Sequence, residues 1–198
     1  MNTIRVASSP LPVHPEPVAA DGRALLWHVP VAVPLPVGRV AAAPGALGEL
    51  FADATLSDGL VARGLVWLWL SDGRSWRAEG AQVREALQAA LVEPQRWGVV
   101  PAGAEVLSRV TDYVLAGTLG AYIASHGGRI EVSGVTDEVV EFAFEGACAQ
   151  CPAADDTLHS RLESAVREHY PALTGVVERP SPRALRRLLP WPTLRRAG

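Results

Sequence analysis

The chain has 198 residues, a formal net charge of −3 and 48% hydrophobic residues. That length allows one large domain or two small ones, and the charge gives no general pull toward nucleic acid or a membrane surface. Two cysteines exclude a secreted disulfide framework. No apolar run approaches the ~20 residues of a membrane span, and the start at Met1 lacks an apolar signal core, so a soluble, cytoplasmic protein is expected.

Residues 1–92 are expected to form a first α+β domain. Its start holds Pro10, Pro12, Pro15, Pro17, Pro30, Pro34 and Pro36. Proline cannot donate to a ladder, so this stretch predicts edge strand and extended loop. Ala24 to Val29 reads as a strand, and Ala46 to Ala54 as a short helix with Leu47, Leu50 and Phe51 on one side. Leu60 to Leu70 reads as a hairpin or a long strand interrupted at Gly64. Trp67 and Trp69 fall on one of its faces, with Val66, Leu68 and Leu70 on the other, so both faces should be covered. Ser75 is placed to cap a helix through Val92, with Val83, Leu87 and Leu91 four apart. His14 and His28 each stand alone in sequence, and a structural role is expected for both.

Residues 93–102 hold Pro94, Pro101 and Gly98 with no helical period, the pattern of a linker. A second domain is expected over 103–179. Val106, Val110 and Val114, extended by Leu107, Leu115, Leu119 and Ile123, predict one amphipathic helix to about Ser125. Gly117 and Gly120 weaken it by ~1 kcal/mol each relative to alanine. Gly127-Gly128 ends the helix. Arg129 to Ser133 and Glu138 to Glu145 then predict a hairpin turning at Gly134 to Asp137. A helix from about Ala153 to His169, with Leu158, Leu162, Ala165 and Val166 inward, leads to an edge strand at Thr174 to Arg179.

Between the hairpin and that last helix stands Gly146-Ala147-Cys148-Ala149-Gln150-Cys151-Pro152, with both cysteines of the chain. Pro152 suits a first helical turn, and Asp155 and Asp156 suit the positive end of the helix dipole. Free backbone N–H groups there favour the thiolate, the form that binds metal or attacks a disulfide. Three readings are open. The pair is two small buried residues. It is a dithiol–disulfide oxidoreductase, against which stand the proline after the second cysteine, the lack of a tryptophan before Cys148 and the absence of a flanking βαβ order. Or it binds metal, in which case one chain supplies two thiolates and a tetrahedral site needs four. His159 lies eight residues after Cys151, ~12 Å along a helix, and is not expected to share a metal with the pair.

Tyr122 to Glu178 resembles the C-terminal domain of NifU, the iron–sulfur scaffold domain also found in Nfu-type carriers. The matching marks are His126-Gly127-Gly128 before Ile130-Glu131-Val132, then Val139-Val140, the Gly146 to Pro152 stretch, Thr157-Leu158, Tyr170-Pro171 and Gly175-Val176-Val177. The resemblance implies two small α+β domains. The second is a scaffold domain of helix, β-hairpin, CxxC loop, helix and strand. It implies Cys148 and Cys151 as cofactor and metal ligands, and a [4Fe–4S] cluster bridged between two protomers of a homodimer; a [2Fe–2S] cluster in each monomer would give the same iron per chain. It implies an upstream cluster assembly system as source and apo iron–sulfur proteins as clients. The element order of residues 1–92 is loosely similar to the N-terminal domain of Nfu proteins. The chain departs from the family at Gly120-Ala121, where Arg-Pro is usual, at His126, where aspartate is usual, and at Ala153-Ala154, where serine follows Cys-Pro. A serine there could bond a cluster sulfur, so its loss bears on cluster lifetime more than on binding.

Residues 180–198 form a tail which, with Arg179, holds six arginines and no acid. It is expected to be solvated, or to dock an acidic partner or pack back on the domain through Leu185, Leu188, Leu189 and Trp191. A nucleic-acid partner is not expected from so small a basic footprint. No catalytic triad, carboxylate pair or phosphate loop is evident, so no enzyme is expected. A zinc-bridged structural dimer is a further alternative use of the same thiols.

Overall fold

Pro15 and Pro17 lie in an edge strand, where a missing N–H leaves no ladder bond unmade. This is β1 (His14–Pro17), the outermost strand of a six-stranded antiparallel sheet in the computed structural model. The structure describes residues 11–19, 21–147 and 154–179, without the side chains of 154–157. The chain divides into two compact units. The first runs to Val106 and takes in Glu168–Pro171, and the second starts at Leu107.

In the first unit β2 (Ala24–His28), β3 (Gly38–Ala42), β4 (Leu56–Ala62), β5 (Leu65–Leu70) and β6 (Gly98–Val100) join β1 in the order β1-β2-β5-β4-β3-β6. β4 and β5 are the predicted hairpin, turned at Gly64 with φ +78°. All six residues of β5 are buried, as expected for a strand covered on both faces. Val66, Leu68 and Leu70 join Leu47 and Leu50 of α1 (Gly45–Ala52) and Val83 and Leu87 of α2 (Trp76–Ala90) in one core.

Three expectations for this region need correction. Ser75 occupies the N-cap of α2 with extended backbone, but its hydroxyl makes no cap hydrogen bond. Gly38–Ala42 is an interior strand, although the proline-rich run around it reads as loop. The 93–102 segment is not a bare linker. Pro94–Arg96 forms a 3-10 turn and β6 pairs with β3. Trp97 is buried in the first core, and its Nε1–H donates to the Ala90 carbonyl at 3.0 Å. A three-residue strand is too short to show a period, so only its ladder reveals it.

The second unit's predicted long helix is two helices, α3 (Gly103–Ala116) and α4 (Thr118–Ser125). The chain breaks at Gly117, whose ψ of −153° leaves the helical region. Gly120 then sits where a Cβ would fall 1.7 Å from the Leu115 carbonyl oxygen, so only glycine fits. β7 (Gly128–Val135) and β8 (Val139–Gly146) form the predicted hairpin, with a bulge between Val132 and Gly134. α5 (Ala154–His169) follows, and Leu158, Leu162 and Val166 are buried on it. β9 (Gly175–Glu178) closes the edge of the sheet β7-β8-β9.

β9 pairs with β8 in parallel. A parallel pair needs a crossover, and α5 is that crossover. β8, α5 and β9 therefore make a βαβ unit around the cysteine segment, which corrects the expectation that no such order flanks it. The pairing is pinned at both ends: the Thr174 N–H donates to the Glu138 carbonyl at 2.8 Å and the Arg179 N–H to the Phe142 carbonyl at 2.7 Å. Among the described residues no helix is long and apolar enough to cross a membrane.

Candidate metal centre

Gly146 ends β8 with φ +68°, a left-handed conformation that favours glycine. Gly127, just past α4, has φ +70° and gives α4 the glycine stop that the sequence predicts. The two glycines meet. A Cβ on Gly146 would lie 2.4 Å from the Gly127 carbonyl oxygen. That same oxygen accepts the Ala147 N–H at 3.1 Å. The segment that carries the thiols is thus anchored at its first residue to the end of α4.

On its other side the segment runs into α5 at Ala154. The first four N–H groups of a helix lack intrahelical partners and carry the positive end of its dipole. Cys148 and Cys151 themselves lie outside the described residues. What the structure defines is the frame: a strand end, a glycine lock and a helix N-terminus. Backbone N–H groups and a helix N-terminus lower the pKa of a thiol held near them.

Among the described residues no set of three or more His, Cys, Asp or Glu side chains is gathered to hold a metal ion. His159 has a packing role. Its Nε2 lies 2.8 Å from the Val176 carbonyl, and its ring lies 5.8 Å from that of Phe142. In the first unit the sheet register sets His14 opposite His28, and His28 Nε2 lies 2.8 Å from Glu16 Oε2. The sequence reading treated these histidines singly because cross-strand neighbours are invisible before the register is known.

Next to Gly128, Arg129 on β7 donates to Glu145 on β8, across the ladder from it. That bond to Glu145 raises the guanidinium pKa further above its ordinary value. Sequence reasoning missed a surface group on α4 and α5. The rings of Tyr122 and His126 meet edge to face at 4.8 Å, and Arg161 Cζ lies 5.3 Å from the Tyr122 ring centre. One signal was legible: Arg161 has no acid three or four residues away on α5, whereas Arg167 has Glu163.

A β-hairpin, a CxxC segment between strand and helix, and a parallel closing strand define a small α+β domain. Residues 112–177 match the NifU-like domain family. Similar proteins include the Fe/S biogenesis protein NfuA of Hamiltonella defensa, 35% identical over 74 residues, which are 37% of this chain and 38% of the relative. NfuA of Stenotrophomonas maltophilia is 33% identical over 92 residues, 46% of each chain. NfuA of Shewanella sediminis is 39% identical over 72 residues, 35% of this chain and 38% of the relative. The chain thus spans less than half the length of these curated relatives.

Proposed function

We propose that this protein is a scaffold or carrier for iron–sulfur clusters and not an enzyme, working in the cytoplasm. Cys148 and Cys151 are its ligands, and a second copy supplies the other two thiolates for one [4Fe–4S] cluster. The observation that supports this most is the glycine lock. It anchors the start of a two-cysteine segment beside a helix N-terminus, within the stretch that matches the NifU-like domain. The cluster is cargo, received from an upstream assembly system and passed to apo-proteins. Delivery is a ligand exchange without net redox change. Each client thiol loses its proton and forms an Fe–S bond as one carrier thiolate leaves and takes up a proton. Carrier thiolates of low pKa leave readily.

Anaerobic reconstitution tests the reading. The protein should turn brown and bind two irons and two sulfides per chain, and its mass should rise from monomer to dimer on loading, as mass action requires of a ligand that binds only the assembled form. Cys148→Ser or Cys151→Ser should each lose both cluster and dimer. A fully loaded monomer would point to a [2Fe–2S] cluster in each chain and sink the bridged form.

A second reading uses the same thiols as a dithiol–disulfide oxidoreductase, and the β8-α5-β9 unit favours it. A colourless protein that reduces disulfides would select it. A colourless dimer with one zinc per two chains would select a structural bridge.

A further inference from the structure

We propose that Arg161, Tyr122 and His126 form a docking patch for a carboxylate-rich surface of the apo-protein that receives the cluster. The inference rests on the carrier function above and names the chemistry of its partner.

The patch follows from local structure. α4 carries no charged residue between Thr118 and Ser125. It sets Tyr122 and His126 one turn apart, so their rings meet edge to face. Tyr122 stays 46% exposed, although it is a large ring beside a packed sheet. Arg161, on α5, is exposed as well. Its guanidinium stands over the Tyr122 ring at cation–π distance.

Charge sets Arg161 apart. The described second unit has five arginines. Arg129 pairs with Glu145, Arg167 with Glu163 and Arg179 with Glu141, and Arg109 lies near Asp112. Among the described side chains no carboxylate pairs with Arg161. A guanidinium over a ring face keeps N–H groups for other acceptors, and its planar fork matches a carboxylate in two parallel bonds. The ring holds the fork in place, so less side-chain freedom is lost on binding.

Position links the patch to cargo. His126 caps the end of α4, and the next residue, Gly127, accepts the Ala147 N–H. The patch therefore borders the start of the thiol segment. A client held there by its carboxylates would bring its own cysteines beside that segment.

The test uses the full-length, anaerobically loaded chain. The probe is the apo form of a small [4Fe–4S] ferredoxin with strong net negative charge. Iron per chain and mass are measured first, then the transfer rate at low and high salt. Arg161→Glu should load and dimerise as the wild type does. At low salt it should transfer roughly tenfold more slowly, as reversal of a rim charge slows encounter. Arg161→Gln should fall between the two, and Arg161→Lys should stay within about threefold of the wild type, keeping the charge but not the fork. The differences should vanish at about 1 M salt, where the Debye length is ~3 Å. The basic tail is present in every variant and cancels.

Wild-type transfer rates from normally loaded Arg161→Glu and Arg161→Gln would overturn the patch alone. Folded variants that fail to dimerise or load would also overturn it, because the patch would then seat a second copy of the chain. A wild-type chain that takes up no iron would overturn the carrier function and the patch together.

Discussion

Gly146 is packed against the carbonyl oxygen of Gly127 with no room for a methyl group, and both residues have positive φ. One contact thus joins the end of β8, the end of α4 and the start of the thiol segment. Replacing Gly146 with alanine forces a clash with backbone and a left-handed L-residue, the latter alone ~1–2 kcal/mol. Gly146→Ala is expected to destabilise the second unit by at least about 2 kcal/mol in denaturant unfolding and to shorten the life of a bound cluster. Unchanged stability and cluster lifetime would show that the lock is not needed.

The end of α1 carries the opposite case. Ala54 has φ +57°, the one non-glycine residue with positive φ among the described residues. Glycine removes the steric cost there but adds freedom to the unfolded chain. Ala54→Gly is expected to raise stability by about 0.5–1 kcal/mol. A loss of stability in thermal melts would mean that the neighbouring bonds hold the turn without strain.

Beside it, the Asp53 carboxylate accepts the Thr55 N–H at 2.8 Å. Hydrogen bonds from Thr55 hold its pKa below the ordinary carboxylate value. A lowered folded pKa gives stability that is present above the unfolded pKa and is lost as pH falls through the folded value. Asp53→Ala should therefore be less stable than the wild type at neutral pH, with the gap closing in acid below the usual carboxylate range. A gap that stays constant to low pH would exclude the charge as its source.

Phe142 is fully buried on β8, with its ring 5.1 Å from that of Phe144 and 5.8 Å from that of His159. Truncation leaves a cavity against α5, so Phe142→Ala should cost about 3–5 kcal/mol. His159 bonds the Val176 carbonyl from the same site. Phe142→Ala should therefore also loosen β9, seen as faster amide exchange at Val176 and Val177. Exchange unchanged at those positions would show that β9 is held without this cluster.

A fragment of residues 103–179 contains every strand of the second sheet and both helices next to its hairpin. We expect it to fold on its own, to unfold cooperatively and to take up iron as the full chain does. A fragment that stays unfolded would place the domain boundary elsewhere.

Much of this protein was readable from local signals. Alternation in Val139 to Phe144, the four-residue spacing of Leu158, Leu162 and Val166, the glycine stop at Gly127 and the two-sided apolar run at Leu65 to Leu70 each report on near neighbours. Period and turn chemistry are short-range, so they survive in one dimension. The CxxC pair and its place between a strand and a helix were legible for the same reason. What folding alone decided was pairing between distant segments. β6 exists because Val99 and Val100 find Val40 and Arg39 about sixty residues back. β8 and β9 are parallel because α5 carries the chain across, which turned a hairpin-and-helix reading into a βαβ unit. The break at Gly117 and the fit of Gly120 under Leu115 depend on backbone meeting backbone. The patch of Tyr122, His126 and Arg161 joins two helices some forty residues apart. No sequence window spans such contacts, and their energy appears only once both partners are in place.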